Sequence, residues 1–178
     1  VYCGILPISL KMMNLHITGS KIPGTVNPSD KLPIVASLIE KDFNEAWFDN
    51  KAGVRSDSVD VMNEVARGTS PFKAEIGAYI LSLSTIDPQY EIEVKKLKKI
   101  SQNNLSGVIT TNYDRFFESS FDGYKSFVGQ DELVFSQLQG IAEIYKIHGS
   151  VENPSSIIIN SDDYRLFRNK GKYLAAKL

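Results

Sequence analysis

The sequence predicts an α/β fold: a Rossmann-like parallel sheet with helices on both faces, truncated at both ends. Three observations point there. Short apolar, β-branched runs alternate with helix-like stretches, the arrangement that buries a parallel sheet between helix layers. Two of those runs, VITTNYD (108–114) and IYKIHGS (144–150), end in polar clusters, where open parallel sheets bind ligands. The chain has 178 residues and 42% hydrophobic content, enough for one α/β domain with a core. Residues 1–178 read as a single partial domain, with 1–69 mostly helix and loop and 70–178 the core.

Composition narrows the function classes. Lys and Arg number 20 and Asp and Glu 21, for a net charge of -1. No global field therefore favours nucleic acid or an anionic membrane, and neither is expected as a partner. No apolar run is long enough to span a bilayer, and no secretory pattern opens the chain, so a cytoplasmic location is expected. The single cysteine, Cys3, excludes an internal disulfide and a four-cysteine zinc site, and no metal is expected. Residue 1 is Val, and the closing KYLAAKL stops within a helical pattern. This reads as a piece of a longer protein with additional sensor or effector domains. The sequence leaves homo-oligomerisation open.

The elements follow in order. ISLKMMNLHI fits helix or strand, and GSKIPGTVNPSD reads as loop. Asp30 is expected to cap a helix over KLPIVASLIEKDF, with Pro33 in its first turn. Leu32, Val35, Leu38, Ile39 and Phe43 would form its apolar stripe. NEAWFDNKAG reads as a short helical turn, then loop. DSVDVMNEVA is a helix stopped near Gly68. Ser70-Pro71 opens the next helix, with Phe72, Ile76, Ile80 and Leu83 on one face. Asp87-Pro88 opens another, with Ile92, Leu97 and Ile100 apolar and KKLKK a solvated face near its C-terminus.

Gly107–Thr111 is a buried strand and Tyr113–Ser119 a helix. Lys125–Val128 is a second strand, Asp131–Gln139 a short helix and Ile144–Ile147 a third strand. Ile157–Ile159 is a fourth strand, after which Ser161 caps a helix beginning at Asp162. If the strands ending at Thr111 and Ile147 run parallel in one sheet, Asn112, Asp114 and His148 share one crevice. Taken alone, Asn112 reads as a helix cap and Asp114 as a partner of the helix dipole. Taken alone, His148 reads as a hydrogen-bonded turn histidine. His16 carries no role.

Taken together, the clusters resemble a known family. TTNYD (110–114), then KIHGS (146–150), then PSSIIINSDDYRLF (154–167) are similar to the motifs of sirtuin-like NAD-binding domains, in the silent-information-regulator-like branch of bacterial antiviral defence. The resemblance covers residues 70–178 well and the first 69 loosely. It implies NAD as the substrate and cleavage of the bond between nicotinamide and ribose, an NAD+ glycohydrolase activity in the full-length protein. It implies His148 as the catalytic histidine. Asn112 would contact the nicotinamide ribose and help place a water. Thr110, Thr111, Asn112, Tyr113, Asp114 and Ser150 would contact the dinucleotide, with Asp114 near the nicotinamide.

The residue types suit that chemistry. Cleaving an N-glycosidic bond builds oxocarbenium-like charge on the ribose. A neutral imidazole accepts a proton near working pH, and a carboxamide both donates and accepts. Two family features are missing. No two of the 12 glycines lie closer than five residues apart, so the G-A-G-x-S phosphate loop is absent. The later G-[YF]-S-x-x-D strand end is absent too. Activity of this segment alone is therefore a separate question. Two other readings remain: an NAD-dependent protein deacylase, and a non-catalytic nucleotide-binding or interaction module.

Overall fold

A long helix, α1, opens the part of the chain that the computed structural model describes: residues 28–51, 53–83, 88–129, 132 and 141–177. It spans Pro28–Phe48, with Pro33 inside it. Asp30 therefore lies within α1 and does not cap it. The helix also runs past Phe43, because Phe43 and Trp47, one turn apart, join the same apolar cluster, one turn after the buried Ile39. The expected stripe is only half right. Leu38 and Leu32 face solvent, at 47% and 60% exposure.

Helix α2 spans Val59–Ala66 and α3 spans Pro71–Ser82. Ser58 caps α2 through its hydroxyl, which accepts from Val61 N. Gly68 then takes φ +98°, which stops the helix. Ser70 caps α3, accepting from Lys73 N, and Pro71 occupies the first turn. Phe72 and Ile80 are buried as the spacing implies, but Leu83 lies past the helix end and is exposed. Trp47, Val61 and Ala74 join α1, α2 and α3 in one apolar cluster. The Trp47 indole N–H donates to the Glu75 carboxylate, which also accepts from Ser56.

A 3-10 turn at Pro88–Tyr90 leads into α4, Glu91–Asn104. Its inner face carries Val94 and Ser101, whereas Ile92 and Ile100 are exposed. The two isoleucines sit on the side of the helix away from Val94. Lys95, Lys96 and Lys99 are solvated, as expected.

The sheet has three parallel strands in the order β1-β3-β2: β1 Gly107–Thr110, β2 Lys125–Val128 and β3 Glu143–Lys146. A short helix, α5 (Phe116–Ser120), joins the first two, and α6 (Ser161–Lys177) follows the third. Side-chain alternation assigns the faces. Phe127 and Tyr145 stack on one face, with Ile147 and Phe167 of α6 packed against them. Val108, Ile144 and Lys146 share the other face, where Lys146 meets Glu118 of α5. Helices thus cover both faces, and the Rossmann-like α/β expectation holds.

Two expectations need correction here. Ile157–Ile159 is not a strand of the sheet. A 3-10 turn at Pro154–Ser156 folds this segment back on the exit of β3, where Ile158 N donates to the His148 carbonyl at 3.0 Å. Ile157 is apolar because it is buried, not because it pairs in a ladder. The cap of α6 is Asn160, one residue earlier than Ser161. Asn160 Oδ1 accepts from Asp163 N at 2.8 Å, and Asp163 Oδ2 accepts from Asn160 N at 3.1 Å, a reciprocal capping box. Cys3, His16 and the GSKIPGTVN loop lie outside the described residues, as does the expected 131–139 helix apart from Glu132. Among the described residues, no helix is long and apolar enough to cross a membrane.

Candidate functional site at the carboxyl edge of the sheet

The register of β1 and β3 puts the two polar clusters side by side. Thr110 pairs with Lys146 in parallel, and Ile147 N donates to the Thr110 carbonyl at 3.0 Å. Asn112 and His148 each lie two residues beyond that last registered pair. The loops then stay together, because Val151 N donates to the Tyr113 carbonyl at 2.9 Å. Adjacent parallel strands give this juxtaposition directly, since their carboxyl ends share one edge.

The turn carrying Asn112 is held by its own backbone. Thr110 is buried, and its hydroxyl accepts from Asn112 N at 3.0 Å. Thr111 is exposed. Asp114, not Asn112, serves the start of α5, from one residue before its N-cap Arg115: its Oδ1 accepts from Phe116 N at 2.8 Å. Burial raises the Asp114 carboxyl above its ordinary value, against the opposing pull of the Phe116 N–H and the Lys146 ammonium. The Tyr113 hydroxyl donates to the Ile158 carbonyl at 2.6 Å, and burial raises its pKa further. Asn112 is half-buried, and its carboxamide makes no hydrogen bond among the described residues.

His148 leaves β3 into a tight turn. Gly149 there takes φ +95°, and a Cβ would fall 2.2 Å from the Ser156 carbonyl oxygen. Only glycine fits the HGS step, because both backbone angle and space forbid a side chain. Ser150 is fully buried and ties the loop, donating its N–H to the Ser156 hydroxyl and accepting from Glu152 N. The His148 ring is half-buried and meets two rings of α6 edge-on, Tyr164 at 5.6 Å and Phe167 at 4.9 Å. Desolvation lowers its pKa, so the neutral imidazole dominates near pH 7.

Sequence reasoning missed the groups that hold this edge together. Lys146 is 1% exposed, and its ammonium donates to the Asp114 carbonyl and pairs with Glu118 at 2.8 Å. The signal was a lysine inside an apolar strand, with an acid on the neighbouring helix. The second group lies outside the motifs. Glu40 of α1 accepts from Ser70 and from the Asn160 amide, and Lys73 of α3 pairs with Asp163 at 2.8 Å. Helices α1 and α3 therefore grip the start of α6, the helix whose Tyr164 and Phe167 flank His148.

Chemically, the edge offers a neutral base, an uncommitted carboxamide and a partly desolvated carboxyl on neighbouring loops. Among the described residues, no three His, Cys, Asp or Glu side chains gather to hold a metal ion. A family model described as the SIR2-like domain matches residues 106–178. No curated protein matches the chain. The matched segment runs from β1 through α6 and contains every candidate site residue.

Proposed function

We propose that the chain, sirtuin-like and so NAD-related over residues 106–178, is the NAD+ hydrolase part of a bacterial defence protein. One observation carries the reading. A neutral, half-buried imidazole lies at the carboxyl end of the central strand, and a carboxamide with no hydrogen-bond partner among the described residues lies at the end of its parallel neighbour.

In this reading NAD is the substrate and lies across the β1 and β3 edge. A water attacks C1′ of the nicotinamide ribose as the C1′–N bond breaks. The bonding pair leaves with the ring, which departs as neutral nicotinamide. His148 takes the water's proton and returns it to solvent, leaving ADP-ribose. Asn112 orients the water and a ribose hydroxyl, using its donor and acceptor ends together. General-base assistance of this kind is worth about 10²–10⁴ in rate. The carboxyl of Asp114, two residues after Asn112, meets the carboxamide of nicotinamide through its other oxygen, while its Oδ1 serves α5. Side chains already take part of each helix start: Asp114 accepts from Phe116 N at α5, and Ser37 and Asn160 accept from Ser161 N and Asp163 N at α6. The motif resemblance to the antiviral branch supports the role in defence.

The test is nicotinamide release by the full-length protein. His148→Ala should lower it by about 100-fold or more with the fold intact. Full activity in that variant would end the assignment of the base.

A further inference from the structure

We propose that Lys146 is a positioning residue, fixing the turn that carries Asn112 against the strand end that carries His148. The inference rests on the reading of those two groups as the reacting pair.

The geometry is direct. Lys146 is the last residue of β3, two before His148. Its ammonium donates to the main-chain carbonyl of Asp114, two after Asn112. The same ammonium pairs with Glu118 of α5 at 2.8 Å, and that carboxylate oxygen also accepts from Ser126 of β2. One buried cation thus joins β3, the Asn112 turn, α5 and β2.

Stability alone does not account for this arrangement. Removing two charges from water carries a desolvation penalty that their attraction often fails to repay, and well-packed apolar replacements of buried pairs are often neutral or stabilising. The second oxygen of Glu118 is buried without a hydrogen-bond partner among the described residues, a further cost. What a methionine could not supply is a donor. The buried ammonium holds the Asp114 carbonyl and the Glu118 carboxylate at once, so the carbonyl is tethered to the end of β3. Displacing a reacting group by about 1 Å can cost about 10²-fold in rate, so the constraint has a chemical consequence.

Two variants of the full-length protein separate position from stability. Lys146→Met with Glu118→Leu removes both charges and leaves neither ion unpaired. It should fold with near-wild-type thermal stability, lose about 10- to 100-fold in kcat for nicotinamide release, and change KM for NAD less than threefold. Glu118→Gln does the reverse. It removes the ion partner but keeps the Lys146 to Asp114 contact, so it should melt lower yet keep kcat within about threefold. A folded double variant with kcat within twofold of wild type would overturn the inference. So would a tenfold loss of kcat in Glu118→Gln, which also decides the matter if the double variant does not fold. His148→Ala, assayed in parallel, separates the two claims. If it retains nicotinamide release, the reacting pair is wrong, whatever the Lys146 variants do.

Discussion

The Tyr113 hydroxyl donates to the Ile158 carbonyl at 2.6 Å, and the N–H of Ile158 donates to the His148 carbonyl at 3.0 Å. One residue of the third motif therefore ties the first motif to the second. Tyr113→Phe removes the hydroxyl and leaves the Ile158 carbonyl without that donor. It should cost about 1 kcal/mol, seen as a melting temperature about 2–4 °C lower. An unchanged melting temperature would mean that the tie carries no load in solution.

Asp114 serves the start of α5 through one oxygen. Asp114→Asn keeps an acceptor for Phe116 N, whereas Asp114→Ala does not. Alanine should therefore cost about 1 kcal/mol more than asparagine by denaturant titration. Equal losses would show that the charge, not the cap, is what the fold uses. If Asp114 also meets the nicotinamide carboxamide, Asn should hold KM for NAD better than Ala does.

Gly149→Ala places a methyl group against the Ser156 backbone and forces a left-handed angle on a residue with a side chain. Loss of at least about 2 kcal/mol is expected, since the angle alone costs about 1–2 kcal/mol. Wild-type stability in this variant would contradict the backbone path from His148 to Ile157.

The pH dependence of turnover follows from His148. Its folded pKa is lowered from 6.5 by desolvation, so the neutral base persists to below that value. The contribution of this group to stability is likewise complete above pH 6.5 and is lost as pH falls through the lowered pKa. A plot of kcat/KM against pH should be flat around neutrality, with an acid limb whose midpoint lies below 6.5. His148→Gln should lose that limb along with most of the rate. A midpoint above 6.5 would mean that a carboxylate, not desolvation, sets the ring's charge.

Much of this arrangement was legible in the chain itself. β1, β2 and β3 lie where β-branched and apolar runs sit between turn signals, and each shifts from expectation by at most one residue at an end. Ser70 carries its cap in the local sequence, whereas the helix expected from Asp57 begins at Val59 with Ser58 as its cap. What failed depends on tertiary partners. Leu32, Leu38, Ile92 and Ile100 look like core residues by type, yet their helices turn other faces inward. Ile157–Ile159 has the composition of a strand, but the turns at Gly149 and Pro154 fold it across the exit of β3. At the site, adjacency of Asn112 and His148 followed from parallel pairing alone. The roles of Lys146, Glu40 and Lys73 did not: a lysine inside an apolar strand signals a buried partner, but which acid or amide it meets is set only by the packing.

If Asn112 and His148 serve one NAD molecule, selective labelling will register both groups in a single binding event. In the full-length protein with 15N-labelled histidine and asparagine, NAD or a non-cleavable analogue is titrated while the His148 ring nitrogens and the Asn112 side-chain amide are followed by NMR. Both sets of signals should shift along a single saturation curve. Saturable binding that leaves both groups unmoved, or that moves only one of them, would contradict the account.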